Sequence, residues 1–348
     1  MTSRRRHTEA MTYYRPIVST DSARPASAVP LAGGWAWFSH AERIERHGTR
    51  HLIPATEIPE AMLARLTAPR APIVGLSLDR PRLMGILNTT PDSFSDGGLY
   101  QATDAAIARA RVLLVEGADL LDLGGESTRP GADEVPVAEE IARTAPVIAG
   151  LRATLCAAPL SIDTRKSSVA GAALAAGADM VNDVAALSFD PGLGRVVAKA
   201  GVPLCLMHSV GSPKTMQADP RYDDVLLDVF DGLAARIAAA EAAGVARARI
   251  LIDPGIGFGK TIADNLALLR GIALLHGLGC GLVLGASRKR FIGTLGGADI
   301  AEQRLPGSVA VALAAVAQGV QMLRIHDVAA TRQAVTLWQS VTQGGQTE

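Results

Sequence analysis

LMGILN, residues 83–88, is a short apolar run that stops on an amide, Asn88. A run of that length, apolar at consecutive positions, suits a strand covered on both faces, as strands in a parallel sheet under helices are. Working outward, the same pattern recurs as DLLDLG through Asp122, LSID to Asp163, DMVND through Asn182, VPLCLMH to His208, ILID to Asp253, GLVLG to Gly285 and MLRIH to His326. Ala-rich stretches with helical periodicity separate these runs, at 102–116, 137–155, 220–243, 262–276 and 304–319. Gly117-Ala118-Asp119 and Gly177-Ala178-Asp179 each precede a run, as a glycine that ends a helix would.

Eight strand–helix units in about 250 residues predict an α/β protein, a (β/α)8 TIM barrel. An open doubly wound sheet would carry five or six strands and a nucleotide fingerprint after the first. The polar residues weigh for the barrel. Asn88, Asp122, Asp163, Asn182, His208, Asp253, Lys289, Arg324 and His326 fall at or just past the carboxyl ends of the runs, the face on which barrels build active sites. Helix capping explains any one of them. It is a poor account of eight strands bearing charges of both signs. Residues 1–80 differ, with Pro, Ser and Arg and an aromatic knot of Trp35, Trp37 and Phe38 beside Tyr13 and Tyr14. They are expected to be an N-terminal extension packed under a barrel of 81–343, with 344–348 a C-terminal tail.

Composition excludes several classes. Lys+Arg and Asp+Glu are 34 each, for a net charge of zero, which gives no electrostatic reason for a nucleic-acid or anionic-membrane partner. With 48% hydrophobic but 4% aromatic residues, the core must come from Ala, Val, Leu and Ile. Cys156, Cys205 and Cys280 lie far apart and in no CxxC spacing, against a disulfide framework or a cysteine zinc site. No apolar run follows Arg4, Arg5 and Arg6, and the apolar stretch 309–317 is short of the roughly 20 residues that cross a bilayer. A soluble, cytoplasmic protein is the expectation.

GIGFGKT at 255–261 fails both nucleotide signatures. Pro254 stands where a Walker A loop needs Gly, and Lys260 where the third Rossmann glycine belongs. NTTPDSFSDGG at 88–98 offers the oxygen donors Asn88, Asp92 and Asp96, suited to a hard cation, a mobile lid or an Asx turn. GGESTRPGA at 124–132 adds Ser127, Thr128 and Arg129, fit for an anion. Ser287, Arg288, Lys289, Arg290, Arg324 and His326 put hydroxyl and cationic groups on the last two strands, where many barrels hold phosphate. Facing them, Asp163, Asn182 and Asp253 can read the amino and ring N–H donors of a flat heterocycle. The alternative is a structural ion network of Asp163 and Asp253 with Lys289 and Arg324. No HxH, HxxxH or HExxH spacing favours His208 or His326 as metal ligands.

LMGILNTTPDSFSDGG (83–98), LLDLGGESTRPGA (120–132), SIDTRK (161–166), VNDV (181–184), MHSVGSPKTMQ (207–217), LIDPGIGFGK (251–260), GASRKRFIG (285–293) and LRIHDV (323–328) resemble the dihydropteroate synthase family in order and spacing over about 82–340. The resemblance implies a transferase of folate biosynthesis that joins hydroxymethyl-dihydropterin pyrophosphate to para-aminobenzoate, giving dihydropteroate and pyrophosphate by a dissociative substitution. It implies a pterin pocket of Asp163, Asn182, Asp253 and Lys289, and a pyrophosphate site of Asn88, Arg324 and His326, with Ser287 also among the substrate-binding residues. Mg2+ would be held by Asn88 and Asp96, Thr128 and Arg129 would close over the substrates, and Phe258 would wall the aromatic amine. Asp163, Lys289, Arg324 and His326 are the implied catalytic residues. The family also implies a sulfonamide target and a homodimer through late helices; 307–319, GSVAVALAAVAQG, is small enough for close helix packing, or for burial against the sheet.

Two positions depart from the pattern. Arg290 stands where the family commonly has a serine that helps hold the aminobenzoate carboxylate, and Val210 where it often has a polar or basic residue. A pterin-binding methyltransferase domain would share the pocket but lack the TPDSFSDGG and ESTRPG loops, which are both present. A binding-only paralogue would be expected to lose a loop or the Arg324/His326 pair, and only Arg290 speaks for it. An aldolase-type barrel using Lys289 as a Schiff base would be trapped by borohydride.

Overall fold

The computed structural model describes residues 11–89, 99–127, 131–154, 157–211 and 220–343. Eight parallel strands close into a barrel: β5 (Arg82–Asn88), β6 (Leu120–Gly124), β7 (Leu160–Asp163), β8 (Met180–Asp183), β9 (Leu204–Met207), β10 (Ile250–Asp253), β11 (Gly281–Leu284) and β12 (Met322–Ile325). Four antiparallel strands precede them, β1 (Thr12–Ser19), β2 (Val29–Pro30), β3 (Trp37–Glu45) and β4 (Arg50–Pro54), followed by α1 (Glu60–Thr67). Around the barrel run α2 (Leu99–Val115), α3 (Val137–Ala153), α4 (Ser167–Ala175), α5 (Gly192–Ala200), α6 (Val225–Ala242), α7 (Ile262–Gly271), α8 (Arg290–Gly296), α9 (Leu305–Val316) and α10 (Val328–Gln343). This is the (β/α)8 TIM barrel that the strand–helix alternation predicts. No described helix is long and apolar enough to cross a membrane.

Two apolar layers hold it together. Alternate strand residues, such as Leu83, Leu121, Leu123, Ile162, Val181, Leu206 and Ile252, belong to the large cluster shared with the helices. The intervening residues face the barrel axis, since side chains alternate along a strand. There Met84, Leu120, Met180, Cys205, Leu251, Val283 and Met322 form a separate buried floor. Each fully buried aliphatic side chain stabilises by about 1.5–3 kcal/mol relative to exposure. One inward step further toward the carboxyl ends the residues turn polar: Asp122, Asn182, Asp253 and Arg324. Register then brings Asn88 level with Gly124, Gly124 with Asp163, and Asp163 with Asn182. An apolar floor beneath a ring of charge is the frame of the site.

The N-terminal sheet lies on the flank of the barrel. Tyr13 packs its ring edge-on to Phe230 of α6 at 5.4 Å and donates from its hydroxyl to Asp231 at 2.9 Å. Arg46 bridges Asp228 and Asp231 at 2.6 and 2.7 Å, and Trp35 Nε1 donates to the Val316 carbonyl at 3.0 Å. Past α1 the chain passes beneath the barrel. Arg70 donates to the carbonyls of His276 and Cys280, and Ile73 and Leu78 seal the floor cluster from below.

Candidate active site

Arg324 projects from β12 into the mouth and ties two other strands. Its Nε donates to Asp122 Oδ2 at 2.6 Å and its Nη2 to Asp163 Oδ2 at 2.7 Å. Asp122 Oδ2 also accepts from Asn182 Nδ2 at 3.0 Å, so β6, β7, β8 and β12 are joined by side chains on the axis. The triad of two carboxylates and one guanidinium carries a formal charge of −1. Burial pushes the Asp163 carboxyl up against the pull of Arg324, with Asp122 adding to the rise. Asp122 Oδ1, Ser161 Oγ and Asp163 Oδ1 are buried and accept or donate no hydrogen bond among the described residues. Such atoms are costly unless a polar ligand or water meets them, so a ring with N–H donors suits them.

Asp253 is fixed differently. Its Oδ1 accepts from the Gly255 N–H at 2.7 Å and its Oδ2 from the Gly285 N–H at 2.9 Å, while burial still raises its pKa. Gly255 is obligatory for that turn: it has φ +68°, and a Cβ there would sit 1.9 Å from the His208 carbonyl oxygen. The turn carries on to Phe258, whose ring lies 3.9 Å beneath Lys289 Nζ, a cation–π contact that sets the ammonium beside Asp253. On the far side, Ser287 Oγ lies 3.1 Å from His326 Nδ1 and accepts from the His326 N–H at 3.2 Å. Asn88 ends β5 in the same rim: a Cβ on Gly124 would stand 3.8 Å from Asn88 Oδ1 and 3.7 Å from the Asp163 Cβ.

The structure thus brings Asn88, Asp163, Asn182, Asp253, Phe258, Ser287, Lys289, Arg324 and His326 to one end of the barrel. Asp96, Thr128 and Arg129 lie outside the described residues. The cationic string at 287–290 divides. Arg288 turns away to Asp327, bonding it at 2.9 Å through Nε, and Arg290 is exposed at the start of α8. Two groups carry more than the sequence reading gave them. Asp122 is fully buried and is the hub of the triad; its place two residues past inward-facing Leu120 was the signal. Lys260 donates to Phe258 O at 2.9 Å and His208 O at 3.2 Å and sits 3.1 Å from His208 Nδ1. It braces the Phe258 turn from behind. Burial pushes this lysine down to about 7 and His208 down to about 3, so the histidine is neutral.

A barrel mouth with carboxylates and an amide on one side and Arg324, His326 and Lys289 on the other defines an enzyme for a small polar ring bearing an anionic group. The family model described as pterin-binding enzyme matches residues 84–326, and the chain belongs to that family. Among curated relatives, the dihydropteroate synthase of Neisseria meningitidis serogroup B is 48% identical over 271 residues, which is 76% of this chain and 94% of that one. Among solved structures, dihydropteroate synthase of Xanthomonas albilineans with 4-aminobenzoic acid is 53% identical with a TM-score of 0.73, covering 78% of this chain and 98% of that one. The same enzyme in complex with 7,8-dihydropteroate is 51% identical with a TM-score of 0.71, at the same coverage of 78% and 98%.

Proposed function

We propose that this chain is a dihydropteroate synthase, a transferase that replaces the pyrophosphate of hydroxymethyl-dihydropterin pyrophosphate with para-aminobenzoate. The bond from the pterin methylene to the pyrophosphate oxygen breaks, a bond from the aniline nitrogen to that methylene forms, and one N–H proton is released. The observation that carries this reading is the Asp122–Arg324–Asp163 triad facing Asn182, with its unpartnered buried oxygens.

Asn182, Asp253 and Asp163 accept the amino and ring N–H groups of the pterin, and Lys289 donates to its carbonyl side. Arg324 spends Nε and one Nη2 hydrogen on carboxylates, so three of its five donors are left for the pyrophosphate beside His326. Charge growing on the leaving group meets these fixed cations, and the cation left on the pterin methylene meets Asp163. The apolar Phe258 ring borders the path of the amine. No covalent intermediate with the protein is required.

Hard oxygen donors at the rim suit Mg2+, which keeps several waters and binds phosphates through few protein ligands. Asn88, with Asp96, would hold it, and it would supply Lewis-acid neutralisation of the pyrophosphate. Half-buried Val309, Val311 and Leu313 on α9, with Leu337 and Val341 exposed at 63% and 76% on α10, support a homodimer through these helices. Cytoplasmic placement completes the reading.

The test is steady-state pyrophosphate release from the pterin pyrophosphate, with and without para-aminobenzoate and Mg2+. Release that depends on both, with dihydropteroate formed, is expected. Pterin binding without amine-dependent release would leave a binding-only protein, and light scattering at the assay concentration reads the dimer.

A further inference from the structure

Arg288 stands between two residues of the mouth and points away from it. Its backbone is left-handed, at φ +57°, a conformation that is costly for a residue with a Cβ and free for glycine. Such a backbone persists where its surroundings over-determine it, and here they do. The Arg288 N–H donates to Ser308 Oγ at 2.9 Å and its carbonyl accepts from Arg304 Nη1 at 3.0 Å, so the start of α9 holds both backbone groups. The guanidinium reaches across to the end of the next strand. Nε donates to Asp327 Oδ2 at 2.9 Å and Nη2 to Asp327 Oδ1, a two-pronged pair, while Nη1 lies 3.6 Å from Glu302 Oε1. Asp327 is itself fixed, because its carbonyl accepts from both the N–H and the hydroxyl of buried Thr331 in the first turn of α10.

We propose that Arg288 and Asp327 are positioning residues that lock the turn after β11, which carries Ser287 and Lys289, to the end of β12, which carries Arg324 and His326. Two contacts in step span these ends: Ser287 meets His326, and one residue further along each chain Arg288 meets Asp327. The left-handed residue turns the chain between them, so that Ser287 before it meets the imidazole and Lys289 after it lies over the Phe258 ring. Glycine would take that turn without strain but would not tie it to Asp327. The paired side chains are 25% and 18% exposed, where an ion pair adds little stability, so what the planar fork supplies is geometry. Lys289 has a further support in the Phe258 ring, so loss of the lock should fall mainly on the Ser287–His326 side. That this side takes the pyrophosphate rests on the transferase reading above; the lock itself does not.

The experiment uses the full chain and the variants Arg288→Gly, which frees the backbone of strain, and Asp327→Asn, which keeps the shape of the carboxyl in case the first folds poorly. Hydrogen–deuterium exchange across 286–289 and 326–327 should be about tenfold faster in both, with 322–325 of β12 unchanged. By calorimetry, Kd for inorganic pyrophosphate with Mg2+ should rise about tenfold while Kd for unphosphorylated hydroxymethylpterin stays within about twofold, as misplacement of the anion-side groups alone requires. Tm should move by no more than about 2 °C, since the pair is partly exposed. The double variant should be no worse than the weaker single one, because both remove the same contact, and Arg288→Lys, which keeps the charge without the fork, should recover part of the loss. Unchanged exchange at 286–289 in either folded variant overturns the lock. Parallel weakening of pyrophosphate and pterin, tracking a larger fall in Tm, would reduce the pair to a structural one and overturn the positioning role. A wild-type chain that binds neither ligand would instead remove the transferase reading, and the exchange result would still decide the lock.

Discussion

Substituting Asp122 with Ala should damage both the stability of the barrel and its grip on the pyrophosphate. The side chain is fully buried, and a single oxygen, Oδ2, receives Arg324 Nε at 2.6 Å and Asn182 Nδ2 at 3.0 Å. Two unit charges about 4 Å apart at an effective dielectric near 20 attract by about 4 kcal/mol, and removing one partner of a buried pair costs about 3–5 kcal/mol. Arg324 keeps Asp163, so the lower half of that range is expected. With an unfolding entropy of about 2.1 cal/mol/K per residue, 348 residues give about 0.7 kcal/mol/K, and a loss of about 3 kcal/mol lowers Tm by about 4 °C. Asp122→Asn keeps an acceptor for both donors and puts its amide where Oδ1 now lacks a partner, so it should cost less than half as much. Calorimetry on both variants gives the stability, and steady-state assays give the function. Freed from Asp122, Arg324 no longer presents its remaining donors in one place, and KM for the pterin pyrophosphate should rise about tenfold in the alanine variant. An alanine variant that melts within a degree of wild type refutes the energetic argument. One that melts low yet binds the pyrophosphate substrate normally refutes the claim that Asp122 sets Arg324.

Asp163→Asn keeps the shape of the pocket but removes the charge facing the pterin methylene; turnover should fall by about two to four powers of ten with pterin binding still measurable by calorimetry, and near-normal turnover would take Asp163 out of the mechanism. Lys260 titrates near 7 when folded because burial disfavours its charge, against an ordinary 10.5. The unfolded chain therefore holds the proton between those values, and the cost of burying the ammonium is full below pH 7 and relieved as pH rises toward 10.5. Relative to Lys260→Met, the wild type should gain about 2–3 kcal/mol of unfolding free energy between pH 7 and 9, read from denaturant melts of the pair; a pH-independent difference would mean that the lysine stays charged. Gly255→Ala should lose well over 1 kcal/mol, since its Cβ would collide with the His208 carbonyl at 1.9 Å in a left-handed turn, and a neutral melt would contradict that geometry.

What could be read in advance was set by period and by chemistry that repeats. The eight strand runs are legible because a strand buried on both faces is apolar at nearly every position, and ILID at 250–253 and LSID at 160–163 end where β10 and β7 end. Short α8, whose seven residues include the two glycines 293 and 296, has no amphipathic period to read, and α4, with Val169, Ala170 and Ala173 buried, is too short to show one clearly. The site divides in the same way. Asp163, Asn182, Asp253 and Arg324 announce themselves as charges and amides at strand ends. Arg288 does too, and misleads, because its backbone takes φ +57° and throws the guanidinium onto Asp327. Strand ends give position along the axis and not direction across it. Direction comes from the alternation within each strand: Met322, Arg324 and His326 share a face, as do Leu120, Asp122 and Gly124, and the pairing of Arg324 with Asp122 follows once the barrel closes between β12, β5 and β6. Closure is a tertiary fact, so Asp122 can be placed at a strand end from the sequence, but its role as the hub that holds Arg324 and Asn182 emerges only when strands far apart in the sequence meet.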